Sequence, residues 1–257
     1  MLRDIFFLFK RWRIIHLIGI SRLRERFARS KFGQAWLTIS NFGLILVTGI
    51  VWSLIWKMEI DEYLPYVGVG HVIYLFISQT LNESSGIFIA DARYYLNERT
   101  PFFLSIFSHI YRSSIIFLHN LPIIIILVVW SKAANFDVNI YFFLTFFLLV
   151  VFLIFWCYVI AALCVRFRDL IQLFGLLFQL LFLITPVMWK LTFVPEKYRF
   201  YFLINPLASF LEIMRNNLIG ISVNSYAYIT IAVWTLIGIL LASIIYKYFD
   251  KKIIFWI

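Results

Sequence analysis

The sequence predicts an all-α fold. The expected protein is a polytopic membrane protein with six transmembrane helices, an N-terminal amphipathic interface helix, and re-entrant half-helices between spans 5 and 6. Three observations carry this expectation. Of the 257 residues, 63% are apolar or aromatic and 14% are charged, with a mean hydropathy of +0.91; a soluble domain runs nearer about half apolar and a quarter charged. The apolar residues fall into runs near the roughly 20 residues that cross a bilayer as a helix. Finally, 17 of the 23 Lys and Arg residues fall in alternate connections, the pattern that fixes topology. A soluble globular enzyme and a disordered chain are both excluded. The net charge of +10 is read as cytoplasmic loop charge rather than a nucleic-acid footprint.

Residues 1–35 are one unit, an interface helix followed by a basic turn. Ile5, Phe6, Leu8, Phe9 and Trp12 alternate with Asp4, Lys10, Arg11 and Arg13, which suits the headgroup region. In the following basic run, Arg22, Arg26 and Arg29 share one helix face, while Leu23 and Phe27 share another. Residues 36–257 form the six-span domain. Span 36–56 carries no charge and is framed by Trp36, Trp52 and Trp56, as an aromatic belt requires. A short acidic loop leads to span 63–82. The polar stretch 83–100 follows, with Asp91, Arg93, Glu98 and Arg99.

Span 113–130 is expected to follow a helical lead-in over 102–112, because His109 and Arg112 interrupt the apolar run. Span 138–165 is long enough to require tilt. Arg166 to Asp169 closes it, and span 170–189 follows, broken near its end by Thr185-Pro186. Residues 190–225 carry Lys190, Lys197, Arg199 and Arg215, yet 199–211 is largely apolar with Pro206 inside it. Short half-helices covered by protein fit this better than an exposed loop. Span 226–246 and a basic tail complete the chain. The charge bias places both termini in the cytoplasm.

Missing motifs narrow the function. No Gly-Lys dipeptide occurs, so no Walker A loop is present. His16, His71, His109 and His119 are isolated from metal-ligand partners. No acidic pair lies inside a span, and no TVGYG-like filter occurs. Cys157 and Cys164 read as small buried apolar residues. Uphill transport would draw its energy from another chain.

Several short motifs occur in order. Arg24-x-Arg26-x-x-x-Ser30-x-Phe32-Gly33-x-x-Trp36 stands before the first span. Arg168-Asp169-Leu170 opens the fifth, Thr185-Pro186-Val187-Met188-Trp189 ends it, and Asn205-Pro206-Leu207 follows. In this order the chain resembles the membrane subunit of ABC-2 type exporters, most of all the branch that exports O-antigen, capsule and teichoic acid. The resemblance covers most of the chain from about residue 22. It implies two permease chains working with two ATP-binding-cassette subunits in a bacterial inner membrane. ATP and Mg would be held by that partner, with no cofactor in this chain. The substrate implied is an undecaprenyl-diphosphate-linked polysaccharide moving through a canal between the permeases. In that family a Leu-Gly turn before the first span meets the lipid diphosphate, and the resemblance puts Phe32-Gly33 in its place in this sequence. Asn41 stands where the family usually carries Pro.

Three groups of site residues follow. Arg22, Arg24, Arg26 and Arg29, with Ser30, Phe32 and Gly33, are the expected diphosphate-binding mouth, since guanidinium forks match phosphate oxygens. Topology anchoring and anionic lipid binding is the other reading of the same arginines. Tyr94, Tyr95, Leu96 and Arg99 are the expected contacts of a coupling helix with the ATPase, the alternative being a solvated loop. Trp52, Trp56, Phe174, Phe178 and Phe182 are the expected canal-lining aromatics, unless they simply pack against lipid or other helices. Glu83 and Arg112 are either an ion pair or a snorkelling charge. The rival functions are an ABC-2 exporter of another lipid or drug, a passive channel, and an integral-membrane lipid or glycan enzyme.

Overall fold

The computed structural model describes the chain apart from residues 29, 30, 34, 99 and 131–139, and describes residues 2, 3, 9, 97, 98, 130 and 251 by backbone alone. All regular structure among the described residues is helical. The N-terminal segment is two helices rather than one, α1 (Leu2–Lys10) and α2 (Trp12–Phe27), because Arg11 leaves helical geometry at φ −109°, ψ 34°. After the basic turn come α3 (Ala35–Trp56), α4 (Ile60–Ser84), the short α5 (Ile87–Ala90) and α6 (Ala92–Glu98), and then α7 (Phe102–Trp130). The remainder is α8 (Ile140–Arg166), α9 (Leu170–Ile184), a 3-10 turn (Leu191–Phe193), α10 (Glu196–Leu203), α11 (Pro206–Ile219) and α12 (Ser225–Ile253).

Five helices are long and apolar enough to cross a membrane: Ala35–Trp56, Ile60–Ser84, Phe102–Val129, Ile140–Arg166 and Ser225–Asp250. The sixth expected span, 170–189, is helical only over the 15 residues of α9. That is about 22 Å at 1.5 Å per residue, short of the roughly 30 Å hydrocarbon core. The chain leaves the helix at Thr185, whose ψ is 133°, one residue before Pro186. This is where the Pro ring disfavours helix for its predecessor.

The third span differs from its expected bounds. α7 is continuous from Phe102, so the segment 102–112 belongs to the helix itself. His109 and Arg112 are tolerated because both are paired: the imidazole with the Thr80 carbonyl and the guanidinium with Glu83.

The bundle is built around α4, which packs against α3, α7, α8, α9 and α11. α12 lies against α8 and α11. The residues between α9 and α12 fold as the expected short helices, and α11 is buried along nearly its whole length. Asn205 caps α11 by accepting from the Leu207 amide at 3.0 Å, with Pro206 at the first helical position. Gly220 ends it at φ 70°. The same Asn205 donates to the Thr185 hydroxyl at 2.9 Å, tying the break after α9 to the start of α11. Side-chain bonds between helices recur: Asn41 donates to Asn120 at 3.2 Å and Thr38 to the His119 carbonyl at 2.9 Å, joining α3 to α7.

At the α8–α12 contact, Trp156 donates its indole N–H to the Trp234 carbonyl at 3.0 Å, and its ring lies over Gly238. A Cβ at residue 238 would stand 2.7 Å from the indole nitrogen, whereas at Gly175 it would meet nothing within 4 Å. Gly238→Leu is therefore expected to destabilise the fold by about 1–3 kcal/mol. The check is the thermal midpoint of the purified protein in detergent: it falls for Gly238→Leu and does not fall for Gly175→Ala.

Candidate functional site

A cavity of about 710 Å³ opens at the α2 end of the bundle, between α2, the end of α4, α5, the start of α6, and α7. Four arginines and three carboxylates line it: Arg22, Arg26, Arg93 and Arg112 against Glu25, Glu83 and Asp91. α2 supplies the first pair because Arg22 and Arg26 are four residues apart and so share a face. α2 itself is held on α7 by His16 Nδ1 against the Tyr111 hydroxyl at 2.6 Å, with Leu23 buried.

Arg22 pairs with Asp91, the residue that joins α5 to α6. Arg26 donates to one oxygen of Glu83 at 3.1 Å, and Arg112 donates to the other. Arg112 also stands 3.1 Å from His109 Nδ1, while His109 Nε2 meets the Thr80 carbonyl at 2.8 Å. A guanidinium only donates and a carbonyl only accepts, so the imidazole carries its proton on Nε2 and accepts through Nδ1. Glu83 is thus the centre of the network, one carboxylate with an arginine from a different helix on each oxygen. The reading of Glu83 and Arg112 as an ion pair is the one the structure has.

The expected mouth residues divide. Arg22 and Arg26 wall the cavity. Arg24 is exposed and is not part of the cavity wall. Phe32 is 66% exposed and stacks on Trp36 at 6.2 Å between ring centres. Gly33 has φ +54°, a left-handed geometry that glycine adopts without strain. Arg29 and Ser30 lie outside the described residues.

Of the expected coupling residues, Leu96 is 59% exposed and Tyr94 half-buried. Tyr95 corrects the expectation: it is turned inward, donates its hydroxyl to Ser105, and packs on Phe102 at 4.3 Å between ring centres. Burial raises its hydroxyl pKa well above the ordinary phenol range. It anchors α6 to α7 and leaves Tyr94 and Leu96 as the outer residues. Arg99 lies outside the described residues.

The expected canal aromatics also separate. Phe178 and Phe182 line a groove of about 340 Å³ together with Ser78, Gln79, Asn82 and Gln179. Phe174 stacks on Phe178 at 6.4 Å but is not part of that wall. Trp52 stacks on Trp56, and Trp56 meets Phe193. Trp56 thus joins the opposite end of α3 to the 3-10 turn, and Trp52 packs against the Tyr63, Tyr66 and Val67 cluster of α4.

Sequence reasoning found Glu83, Asp91 and Arg112 as charges but not Asp91 as the partner of Arg22, nor His109 as a member of the network. The usable signal was the spacing of His109 and Arg112, one helical turn apart in an otherwise apolar helix. Glu83→Gln leaves Arg112 and Arg26 facing a neutral amide and is expected to cost about 1–3 kcal/mol. Arg26→Gln, at an exposed position, is expected to cost under about 1 kcal/mol. Chemical unfolding in detergent micelles checks the ranking.

The ABC-2 type transporter family matches residues 17–219, which contain the arginine cavity, the aromatic groove and α11. Two curated relatives are similar over nearly the whole chain, both O-antigen export system permease proteins RfbA from Klebsiella pneumoniae. One is 24% identical over 242 residues, covering 89% of this chain and 88% of its own length. The other is 23% identical over 242 residues, covering 84% and 86%. With about four-fifths of its residues matched by one family, the chain belongs to the ABC-2 type transporters and is a multi-pass permease of that family.

Proposed function

We propose that the chain is the permease half of an ATP-driven exporter of undecaprenyl-diphosphate-linked polysaccharide, O-antigen-like, in a bacterial inner membrane. Two copies work with two ATP-binding-cassette subunits, and both termini face the cytoplasm. The observation that carries this reading is the cavity in which Arg22 and Arg26 hold carboxylates on different elements. A diphosphate offers the same paired oxygen acceptors with more charge, so it competes for both guanidinium groups. The similarity to proteins named for O-antigen export supports the substrate class.

Loading and coupling meet at one residue. Asp91 joins α5 to α6, and α6 presents Leu96 outward. A diphosphate that takes Arg22 releases Asp91, and the tie between α2 and the start of α6 goes with it, while Tyr95 still holds α6 to α7. The proposed docking element of the ATPase is therefore one ion pair away from the proposed substrate. The groove of Phe178 and Phe182 with Gln79, Asn82 and Gln179 supplies rings and amides together, which suits sugars: rings stack on their apolar faces and amides pair with their hydroxyls.

Two experiments test this. Native-membrane pull-down with a C-terminal tag is expected to recover a stoichiometric ATP-binding-cassette protein; its absence from an intact complex would sink the half-transporter reading. In cells, replacing Arg22 and Arg26 together by Gln is expected to lower surface glycan at least tenfold at equal expression, since each charge-assisted bond is worth about 1.5–3 kcal/mol. Arg24→Gln is expected to be near neutral. Unchanged surface glycan in a deletion strain would favour an exporter of another lipid or drug.

A further inference from the structure

A second cavity lies at the other end of α4. Its lining includes Tyr66, seventeen residues before Glu83 and so about 25 Å along the helix. Its volume is about 270 Å³, far above the roughly 10–15 Å³ that one water needs. The wall carries three cations, Lys190, Arg199 and Arg215, and one carboxylate, Glu212.

Arg215 is fully buried. It donates to the Pro186 carbonyl at 2.7 Å, and its guanidinium carbon lies 3.7 Å from the centre of the Tyr66 ring. Its contact with Glu212 is 3.4 Å, long beside the roughly 2.7–2.9 Å of a charge-assisted bond. The other oxygen of Glu212 accepts at 2.9 Å from the Asn216 amide. Two polar atoms of the wall are left without a hydrogen-bond partner among the described residues: Arg215 Nε, a donor, and Asn216 Oδ1, an acceptor. Asn216 is 4% exposed. Burial pushes the Lys190 ammonium below its ordinary range, Glu62 acting against this and Arg215 with it. The cavity thus has two more cations than anions, a spare guanidinium N–H and a spare amide acceptor.

These features select a ligand. A dication is repelled by the wall. A neutral sugar satisfies the amide but leaves the cationic excess uncompensated. A simple halide compensates charge but gives Asn216 Oδ1 no donor. We propose that this cavity binds a hydroxylated anionic group, a carboxylate or phosphate with an adjacent hydroxyl. The oxyanion accepts from Arg215, Lys190 and Arg199, and the hydroxyl donates to Asn216. Two sources carry this chemistry: an acidic sugar of an exported glycan, and a phosphoglycerol lipid headgroup. The chemistry of the cavity does not depend on what the chain exports. The topology proposed above, with both termini in the cytoplasm, puts this end of α4 toward the outer leaflet, and that placement alone rests on it.

The test uses the full-length chain in nanodiscs of zwitterionic lipid and equilibrium dialysis of labelled glucuronate, glycerol 3-phosphate and glucose. Both anions are expected to bind saturably, and glucose is not. Lys190→Gln and Arg199→Gln, at the less buried part of the wall, are each expected to weaken anion binding about tenfold, as loss of one charged partner predicts. They keep the buried Arg215 intact; Arg215→Gln is read only if its thermal midpoint matches the parent. Rebuilding the discs with phosphatidylglycerol separates the sources: loss of soluble-anion binding assigns the site to the lipid headgroup, and unchanged binding assigns it to the glycan. Glucose binding as well as glucuronate, no anion binding by the folded parent, or binding indifferent to both rim substitutions overturns the proposal. The assay reads binding alone, so its failure leaves the cytoplasmic arginine reading untouched, and failed export leaves this site untouched.

Discussion

Within a bilayer no water is available to satisfy a stray backbone or side-chain polar group, and each unsatisfied group costs several kcal/mol. α4 is where this constraint is concentrated. It is enclosed by five other helices, yet it carries Tyr63, Tyr66, His71, Tyr74, Thr80 and Glu83. The three tyrosines resolve the problem outward: Tyr74 donates to the Phe178 carbonyl at 2.8 Å, Tyr66 to the Trp189 carbonyl at 3.2 Å, and Tyr63 to the Met188 carbonyl. Those acceptors are the carbonyls of α9 and of the irregular stretch after it. Through Tyr63 and Tyr66 the buried helix thereby satisfies the Met188 and Trp189 carbonyls, which the break at Thr185 and Pro186 leaves outside any helix. Without α4 the break in α9 would be unaffordable, and without the break α11 would have no anchor at Thr185.

The same economy governs the charges. Each end of α4 holds a guanidinium network built from helices that are distant in sequence. At one end Glu83 joins α2 to α7; at the other, Arg215 joins α11 to the Pro186 carbonyl and to the face of Tyr66. The networks differ in balance. The first is close to neutral and open, with arginines that already hold carboxylates. The second has its central guanidinium, Arg215, fully buried and keeps a cationic excess. A chain that is otherwise two-thirds apolar places its surplus of chemistry at the two ends of one helix.

Much of this architecture was legible beforehand. Uncharged runs framed by tryptophan mark α3, and Thr185-Pro186 and Asn205-Pro206 mark the end of α9 and the cap of α11. Arg22 and Arg26 of α2 share a face, as their spacing requires, and wall one cavity. Other features depended on partners that periodicity does not reveal. His109 and Arg112 read as a boundary because hydropathy counts a charge as exposed; in the fold each finds a partner on α4, and the helix runs on. Tyr95 sits in a polar stretch and reads as surface, but its ring fills the space between Phe88 and Phe102. Arg215 reads only as one more charge between the fifth and sixth spans, because nothing local shows that it stands with Glu212 on a helix that α4 covers.

The shortness of α9 has a consequence for whatever lies beside it. Its outer face exposes Leu173, Leu176, Leu177, Leu180 and Leu183, and this greasy strip stops at Ile184, since Thr185, Pro186 and Val187 turn inward and are buried. Lipid against such a strip must compress by about 8 Å to match the roughly 22 Å of helix, and thickness mismatch costs fractions of a kcal/mol per Å. The strain in the surrounding lipid sums to about a few kcal/mol, which any protein surface of matching height would relieve.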